Sequence, residues 1–338
     1  MDKTVPVETV QNRPAGLDFG VDQKTGLKHF WSVFFPILQY AAAGWFLWFY
    51  YQTIRADWGE IVRYGFHPNK LWFGLGALFL LLGHSWQPAA FWFNFKFTGV
   101  SVPLRDSYKI YCMAHIAHYL PGRIWSYFSF AYLGKFLGIA PTQLLAALYL
   151  GFVASLLSGA VFTIFALPLF KQLGLPFFAL AAFVVLLLVL FIPKVFQGVI
   201  KTFGRVVRTP MADLPEPFGW RPVFLSSFYY GFSWLLNSAG VVFLVLSFHS
   251  LTPQQVLYSF SAFPLAYLAG YLAFFAAGGL GVREGVMLAM LSTFLPLYAA
   301  AAVPIAARIL TLSYEGVWFL VAWRLPWKSK GFVEKVGK

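Results

Sequence analysis

The sequence predicts an all-α polytopic membrane protein, with about six full transmembrane helices and two re-entrant helical hairpins in an inverted pseudo-repeat. Of its 338 residues, 59% are hydrophobic and 11% are charged, whereas a soluble domain carries roughly 25% charged residues. Long apolar runs alternate with short connections that hold most of the basic residues. The low charged fraction excludes a soluble protein, and the alternation indicates repeated crossing of a bilayer rather than a large catalytic domain outside it.

The N-terminal segment, residues 1–29, is polar and mixed in charge and contains Pro6 and Pro14. A cleaved signal peptide would instead begin with a basic region followed directly by an apolar run. We therefore expect a cytoplasmic N-terminal tail, then a single transmembrane domain over residues 30–323, and then a basic cytoplasmic tail over residues 324–338.

Six apolar runs are each long enough to cross the ~30 Å hydrocarbon core as a helix. Their aromatic residues, including many of the 13 Trp and 17 Tyr, are typical of belts at the membrane surfaces. The six runs cover residues 32–52, 71–93, 142–169, 175–192, 223–248 and 299–323.

Two further apolar stretches, residues 107–135 and 253–297, are interrupted by residues that break helices. The breaks lie at Pro121 and Gly122 in the first stretch and at Gly278, Gly279 and Gly281 in the second. Each half of the first stretch has roughly a dozen residues and reaches only ~18 Å. Both stretches are predicted to be re-entrant hairpins whose interrupted backbone lines a cavity, with a kinked spanning helix as the alternative.

The basic connection at residues 194–222 sets the predicted orientation. It holds five lysines and arginines against two acidic residues, which places it in the cytoplasm by the positive-inside rule. It joins the halves 30–193 and 223–323, so that the first hairpin enters from the cytoplasmic side and the second from outside. Opposed hairpins in two halves are typical of transporters built from inverted repeats.

A weak internal similarity agrees with such a repeat. Residues 118–125 align with residues 274–281, which places Gly122 on Gly278 and Ile124 on Leu280. In transporters of this kind, paired interrupted segments flank a binding site near the middle of the membrane.

The segment from Gly278 to Gly285, Gly-Gly-Leu-Gly-Val-Arg-Glu-Gly, resembles the GGLGxREG signature of the lysylphosphatidylglycerol synthase transmembrane region and its free-standing relatives, the flippase-like integral membrane proteins. Residues 120–124 are similar to the LPGxxG element of that family's first half, with Trp125 at the usual final glycine. The resemblance implies a lipid flippase fold in the inner (cytoplasmic) membrane of a prokaryotic cell, in a free-standing member without the soluble synthase domain. Bifunctional members move an aminoacylated phospholipid between leaflets, and free-standing members are thought to handle other headgroups, including polyprenyl-phosphate-linked glycans.

Charged side chains at membrane depth are costly unless they face a cavity or a partner, so they are the candidate headgroup-binding residues. Arg283 follows the glycine-rich break, where a helix N-terminus would favour an anion and a guanidinium group would bind phosphate in a bidentate manner. The candidates are Arg123, Arg283, Glu284, Arg308 and Glu315, together with Asn237 from a polar stripe.

Structural roles are the alternatives for these residues. Arg283 and Glu284 would then join the two hairpins, Arg123 would lie at the cytoplasmic surface, and Asn237 would make an ordinary interhelical hydrogen bond.

Arg308 and Glu315 lie seven residues apart in the last run, so they share one helical face. Two roles are open for them: pairing with Glu284 and Arg283, and carriage of a coupling proton by one of the two.

His115 and His118 have a spacing that suits metal ligands, since residues i and i+3 lie on adjacent helical turns. The neighbouring sequence offers no cysteine pair or carboxylate cluster, so we predict no metal site. The sequence shows no cofactor motif, and we expect no cofactor.

The leading hypothesis is a lipid flippase that moves an anionic or polar-headgroup lipid between leaflets by alternating access, and is therefore not an enzyme. The alternatives are a membrane-embedded transferase acting on a lipid phosphate, with Glu284 or Glu315 as base, and a non-catalytic scaffold for a lipid or glycan synthase. The expected partners are membrane lipids, with such a synthase or a second copy of the chain as further candidates. Nucleic acid is not expected, because the basic residues lie in short connections between apolar runs.

Overall fold

The computed structural model describes four stretches of the chain, residues 68–119, 124–168, 219–273 and 277–328. Three isolated positions are described as well: Trp48, Arg55 and Gly198. Every regular element in these stretches is helical. The following predicted segments lie outside the described residues, wholly or in large part: the tails, the runs 32–52 and 175–192, and the connection 194–222.

The first two stretches contain four α-helices. They are α1 (Lys70–Asn94), α2 (Leu104–His115), α3 (Ile124–Lys135) and α4 (Pro141–Phe162). The Asn69 side chain begins α1 by accepting hydrogen bonds from the backbone N–H groups of Leu71 and Trp72, which have no partner within the helix. Pro141 occupies the first turn of α4, where its missing N–H group costs nothing.

The last two stretches contain four more α-helices. They are α5 (Trp220–Phe248), α6 (Pro253–Leu272), α7 (Val282–Leu291) and α8 (Leu297–Arg324). Thr252 and Gln255 form a reciprocal capping box at the start of α6, which satisfies two backbone N–H groups.

Among the helices of the described stretches, three are long and apolar enough to cross a membrane. They span Pro141–Ala166, Trp220–Phe248 and Leu297–Arg324, and they coincide with the predicted runs 142–169, 223–248 and 299–323. Helix α1 has 25 residues and occupies the predicted run 71–93, but its apolar content is lower because it includes His84 and Gln87.

The second interrupted stretch is broken at the predicted glycines, whereas the predicted break at Pro121 and Gly122 in the first lies outside the described residues. After α2, a short 3-10 helix covers Ile116–Tyr119, and α3 begins at Ile124. Helix α6 ends at Leu272, and a 3-10 turn at Ala277–Gly279 precedes α7. Helix α2 packs on α3, α6 packs on α7, and the two 3-10 turns contact each other. The two interruptions therefore meet inside the protein.

Helices α1 and α5 pack closely along their length because glycines lie between them. A Cβ atom on Gly76 would lie 3.0 Å from the carbonyl oxygen of Gly240, and one on Gly240 would lie 2.9 Å from Leu80. Small residues that let backbones approach in this way are typical of helix packing in membranes. This pair forms one wall of a cavity, which α1 lines with His84 and α5 with Tyr230.

Candidate functional site

A cavity of about 180 Å³ lies where all eight described helices approach one another, with the 3-10 turn after α2 also on its wall. This volume accommodates a phosphate-sized group with some water, since one water occupies ≈ 30 Å³ of liquid. The polar side chains on its wall include His84, Gln87, His115, His118, Arg283 and Glu315. Aromatic rings make up much of the remainder, among them Tyr111, Tyr127, Tyr230, Tyr267 and Tyr271.

The glycines of the second break are required by their backbone conformation. Gly278, Gly279 and Gly281 have φ angles of 59°, 70° and 87°, in the left-handed region that other residues rarely adopt. The backbone N–H of Gly281 donates to Glu284 Oε2 at 2.7 Å. Glu284 therefore caps the helix N-terminus that the glycine pattern predicts, and it places a negative charge where the helix dipole favours one.

Arg283 lies at the cavity wall with only 8% of its surface exposed. Its guanidinium carbon stands 3.9 Å from the ring centre of Tyr267 and 5.7 Å from that of Tyr271. A Cβ atom on Gly270 would lie 2.6 Å from Arg283 Cγ, and one on Gly279 would lie 2.7 Å from its Nε. Two glycines and an aromatic face thus form a slot for this side chain, in which stacking on the ring stabilises the charge.

Arg308 connects the second break to the first. Its Nε lies 3.4 Å from Glu284 Oε1, so the structure shows the pairing with Glu284 that the sequence left open. The guanidinium carbon also lies 5.3 Å from the ring centre of Tyr119, and the Tyr119 hydroxyl donates to Glu315 Oε2 at 2.7 Å. Helix α8 therefore holds both breaks through two residues on one face.

The first break brings rings rather than fixed charges to the cavity. A Cβ atom on Gly278 would lie 2.8 Å from the Tyr119 ring and 3.3 Å from the His118 ring, so the two breaks touch at this glycine. His115 Nε2 lies 4.0 Å from Glu315 Oε1, and the His115 ring stacks on Tyr111 with centroids 5.0 Å apart.

Asn237 lies apart from this group. It is fully buried in α5, and its amide nitrogen donates to the Ser233 carbonyl oxygen at 2.8 Å. A Cβ atom on Gly83 of α1 would lie 2.4 Å from that nitrogen, so Asn237 fills the contact between the two helices. It is not among the residues that line the cavity. Three other predicted site residues, Arg123, Pro121 and Gly122, lie outside the described residues.

Sequence reasoning missed several contributors to the site. Tyr119 had a usable signal, since it lies two residues before the predicted break at Pro121 and a polar ring at such a position is costly without a partner. Tyr267 and Gly270 had none, because one aromatic residue and one glycine in an apolar helix are unremarkable. His84 also lines the cavity, and one histidine within an apolar run does not indicate such a position.

Comparison with known families agrees with the motif. The family model described as the lysylphosphatidylglycerol synthase TM region matches residues 36–316. The match confirms the resemblance that the glycine-arginine segment carries. No curated protein matches the sequence at a significant level.

Proposed function

The chain belongs to the lysylphosphatidylglycerol synthase TM-region family, and from this premise we propose that it is a lipid flippase and not an enzyme. Membership of this family and the apolar helices establish a multi-pass membrane protein linked to lipid modification or transport. The proposed substrate is a lipid with an anionic or polar headgroup, either an aminoacyl-phospholipid or a polyprenyl-phosphate-linked glycan.

The observation that carries this proposal is the position of Arg283. No carboxylate in the described stretches lies within ion-pair distance of it, and its Nε has no hydrogen-bond partner there. A buried cation without a counter-ion is costly, and in a membrane protein such a residue marks a substrate path. A phosphate group entering the cavity would supply the missing charge and the hydrogen bonds.

The remaining predicted residues have assigned parts in this proposal. Arg123 and Arg308 add positive charge around the headgroup, Glu315 lies beside the headgroup on the cavity wall, and Glu284 holds Arg308. Asn237 supports the wall formed by α1 and α5.

We further propose that the chain crosses the inner (cytoplasmic) membrane six times and contains two opposed hairpins. Both termini and the basic connection then lie in the cytoplasm. The contact between the two helix interruptions at Gly278 supports this layout. Movement of one half against the other would then expose the cavity to each leaflet in turn, while the acyl chains stay in lipid. A lipid or glycan synthase and a second copy of the chain are the proposed protein partners.

The test begins with native mass spectrometry of the protein released gently from its membrane, with identification of the lipids that remain bound. Arg283→Ala removes the guanidinium group, and Arg283→Lys keeps the charge but not the planar donors. Arg324→Ala is the matched control because Arg324 is exposed at the end of α8. We expect a specific anionic or glycan-bearing lipid on the wild type and the control, reduced on Arg283→Lys and lost on Arg283→Ala.

A second measurement separates the function classes. A flippase reconstituted in liposomes moves the identified lipid between leaflets and leaves it chemically unchanged. Conversion of the lipid in detergent would instead indicate a transferase. Bulk phospholipid that does not respond to Arg283→Ala would contradict the proposal and favour a scaffold.

A further inference from the structure

Three side chains that can bind metal converge on the cavity wall. His115 and His118 come from the end of α2 and the 3-10 turn that follows, and Glu315 comes from α8. One ligand atom from each lies within 4.8 Å of the others. The sequence predicts no metal site because no carboxylate lies near the histidines along the chain, but the fold brings one from α8. We propose that these three residues bind a divalent transition metal ion, for which zinc fits the donor set.

Neighbouring groups orient each ligand. His118 Nδ1 lies against the carbonyl oxygen of His115, so this nitrogen carries the proton and the other keeps the lone pair that a metal uses. The Tyr119 hydroxyl donates a hydrogen bond to Glu315 Oε2, while Glu315 Oε1 faces His115. Tyr111 fixes the plane of the His115 ring by stacking. Partners of this kind hold metal ligands in place and set their protonation.

The distances between the three donor atoms suit a site whose side chains move slightly when an ion binds. Zinc binds nitrogen and oxygen donors at about 2.0–2.2 Å in a tetrahedron, which requires donors about 3.4 Å apart. Side-chain rotations that move the donors by about 1 Å bring all three to that separation, since they start within 4.8 Å of one another. Two imidazoles and one carboxylate leave the fourth position open, and all three residues line the cavity.

The charges around the cluster indicate what occupies the fourth position. Arg283 lines the same cavity, and Arg308 lies over the ring of Tyr119. Glu284 balances the charge of Arg308, but a divalent ion with one carboxylate ligand beside Arg283 still carries excess positive charge, so it favours an anionic ligand from the cavity. A phosphate oxygen meets this requirement. This last step rests on the proposed function, whereas the metal site itself does not.

Metal content measured on the full chain in detergent tests the site without any transport assay. Tag-free protein is stripped with EDTA, dialysed against buffer containing zinc, and analysed by inductively coupled plasma mass spectrometry. We expect about one zinc ion per chain and, after replacement by cobalt, the visible absorption of a tetrahedral ion. His118→Ala and Glu315→Gln each remove one ligand, so each should weaken binding by more than the roughly tenfold loss that follows removal of a group that only orients a ligand. His249→Ala, at the end of α5, is the control and should bind as wild type does.

Size-exclusion chromatography shows whether each variant is folded, and His118→Gln replaces His118→Ala if the smaller side chain prevents folding. A wild-type protein that retains no zinc, or folded variants that bind zinc as tightly as wild type, would overturn the proposed site. Because the readout is metal and not lipid movement, its failure is distinguishable from failure of the flippase proposal.

Discussion

The segment α6–α7 and the segment α2–α3 are both helix–break–helix units, but their polar groups are held in different ways. In the second segment, Glu284 caps its own helix through Gly281, and Arg283 stacks on Tyr267 from the adjoining helix of the same unit. In the first segment, His115 and Tyr119 have their charged partner on α8 instead.

Segments with a similar backbone plan therefore bring different chemical groups to the cavity. The two halves share the same interrupted plan, yet the second supplies a positive charge positioned within its own segment, while the first supplies rings positioned by a helix from the other half. The second segment should therefore be sensitive to changes within itself as well as to loss of Arg308, whereas the first should be sensitive mainly to changes in α8. The following predictions test this contrast, from the largest expected effect to the smallest.

Gly279→Ala should have the largest effect. An alanine at φ +70° costs about 1–2 kcal/mol, and its Cβ would lie 2.7 Å from Arg283 Nε, which adds the cost of overpacking. We expect a loss of about 4 kcal/mol in stability, measured by thermal unfolding in detergent, and loss of the bound lipid. Gly99→Ala is the control, because Gly99 has φ +72° with no atom within 4 Å. Equal losses in the two variants would show that the slot around Arg283 is unimportant.

Glu284→Gln should have the next largest effect. Glutamine keeps an oxygen for the Gly281 N–H but removes the charge that pairs with Arg308, which leaves a largely buried cation unpaired. We expect a loss of about 2 kcal/mol, less than the roughly 3–5 kcal/mol of a fully buried pair, because both side chains keep some exposure. Adding Arg308→Met should recover part of this loss in the same unfolding assay. No recovery in the double variant would contradict the pairing as the cause.

Tyr119→Phe tests the dependence of the first segment on α8. The ring stays against Gly278, but the hydroxyl no longer donates to Glu315, and a hydrogen bond to a charged group contributes about 1.5 kcal/mol. Tyr314→Phe is the matched control, since Tyr314 donates to the uncharged carbonyl oxygen of Ala77. Unfolding midpoints should fall more for Tyr119→Phe. A larger fall for Tyr314→Phe would indicate that the link between Tyr119 and Glu315 is weak.

Thr252→Ala should have the smallest effect. The Thr252 side chain accepts from the Gln255 N–H at the start of α6, and removal of such a cap costs about 1 kcal/mol. Thr252→Ser keeps the hydroxyl and should unfold at nearly the wild-type temperature. By contrast, α2 begins at Leu104, and its N-cap residue Pro103 makes no side-chain hydrogen bond, so this helix offers no equivalent site for the test.

The sequence by itself determined the features that depend on neighbouring residues. Runs 142–169, 223–248 and 299–323 predicted the three long apolar helices, since helix length and apolar content are local properties. Glycines 278, 279 and 281 predicted the second break, because only glycine adopts positive φ readily.

Only the tertiary structure decided which residues meet across the cavity. Glu315 lies beside His115, and Gly270 lies against Arg283, although no local pattern relates the members of either pair. Helical periodicity defines the face on which a side chain lies, but the partner of that face depends on how distant helices pack. For this reason the sequence could propose Arg283 and Glu315 as site residues, while their surroundings, and the metal-binding cluster inferred from them, required the fold.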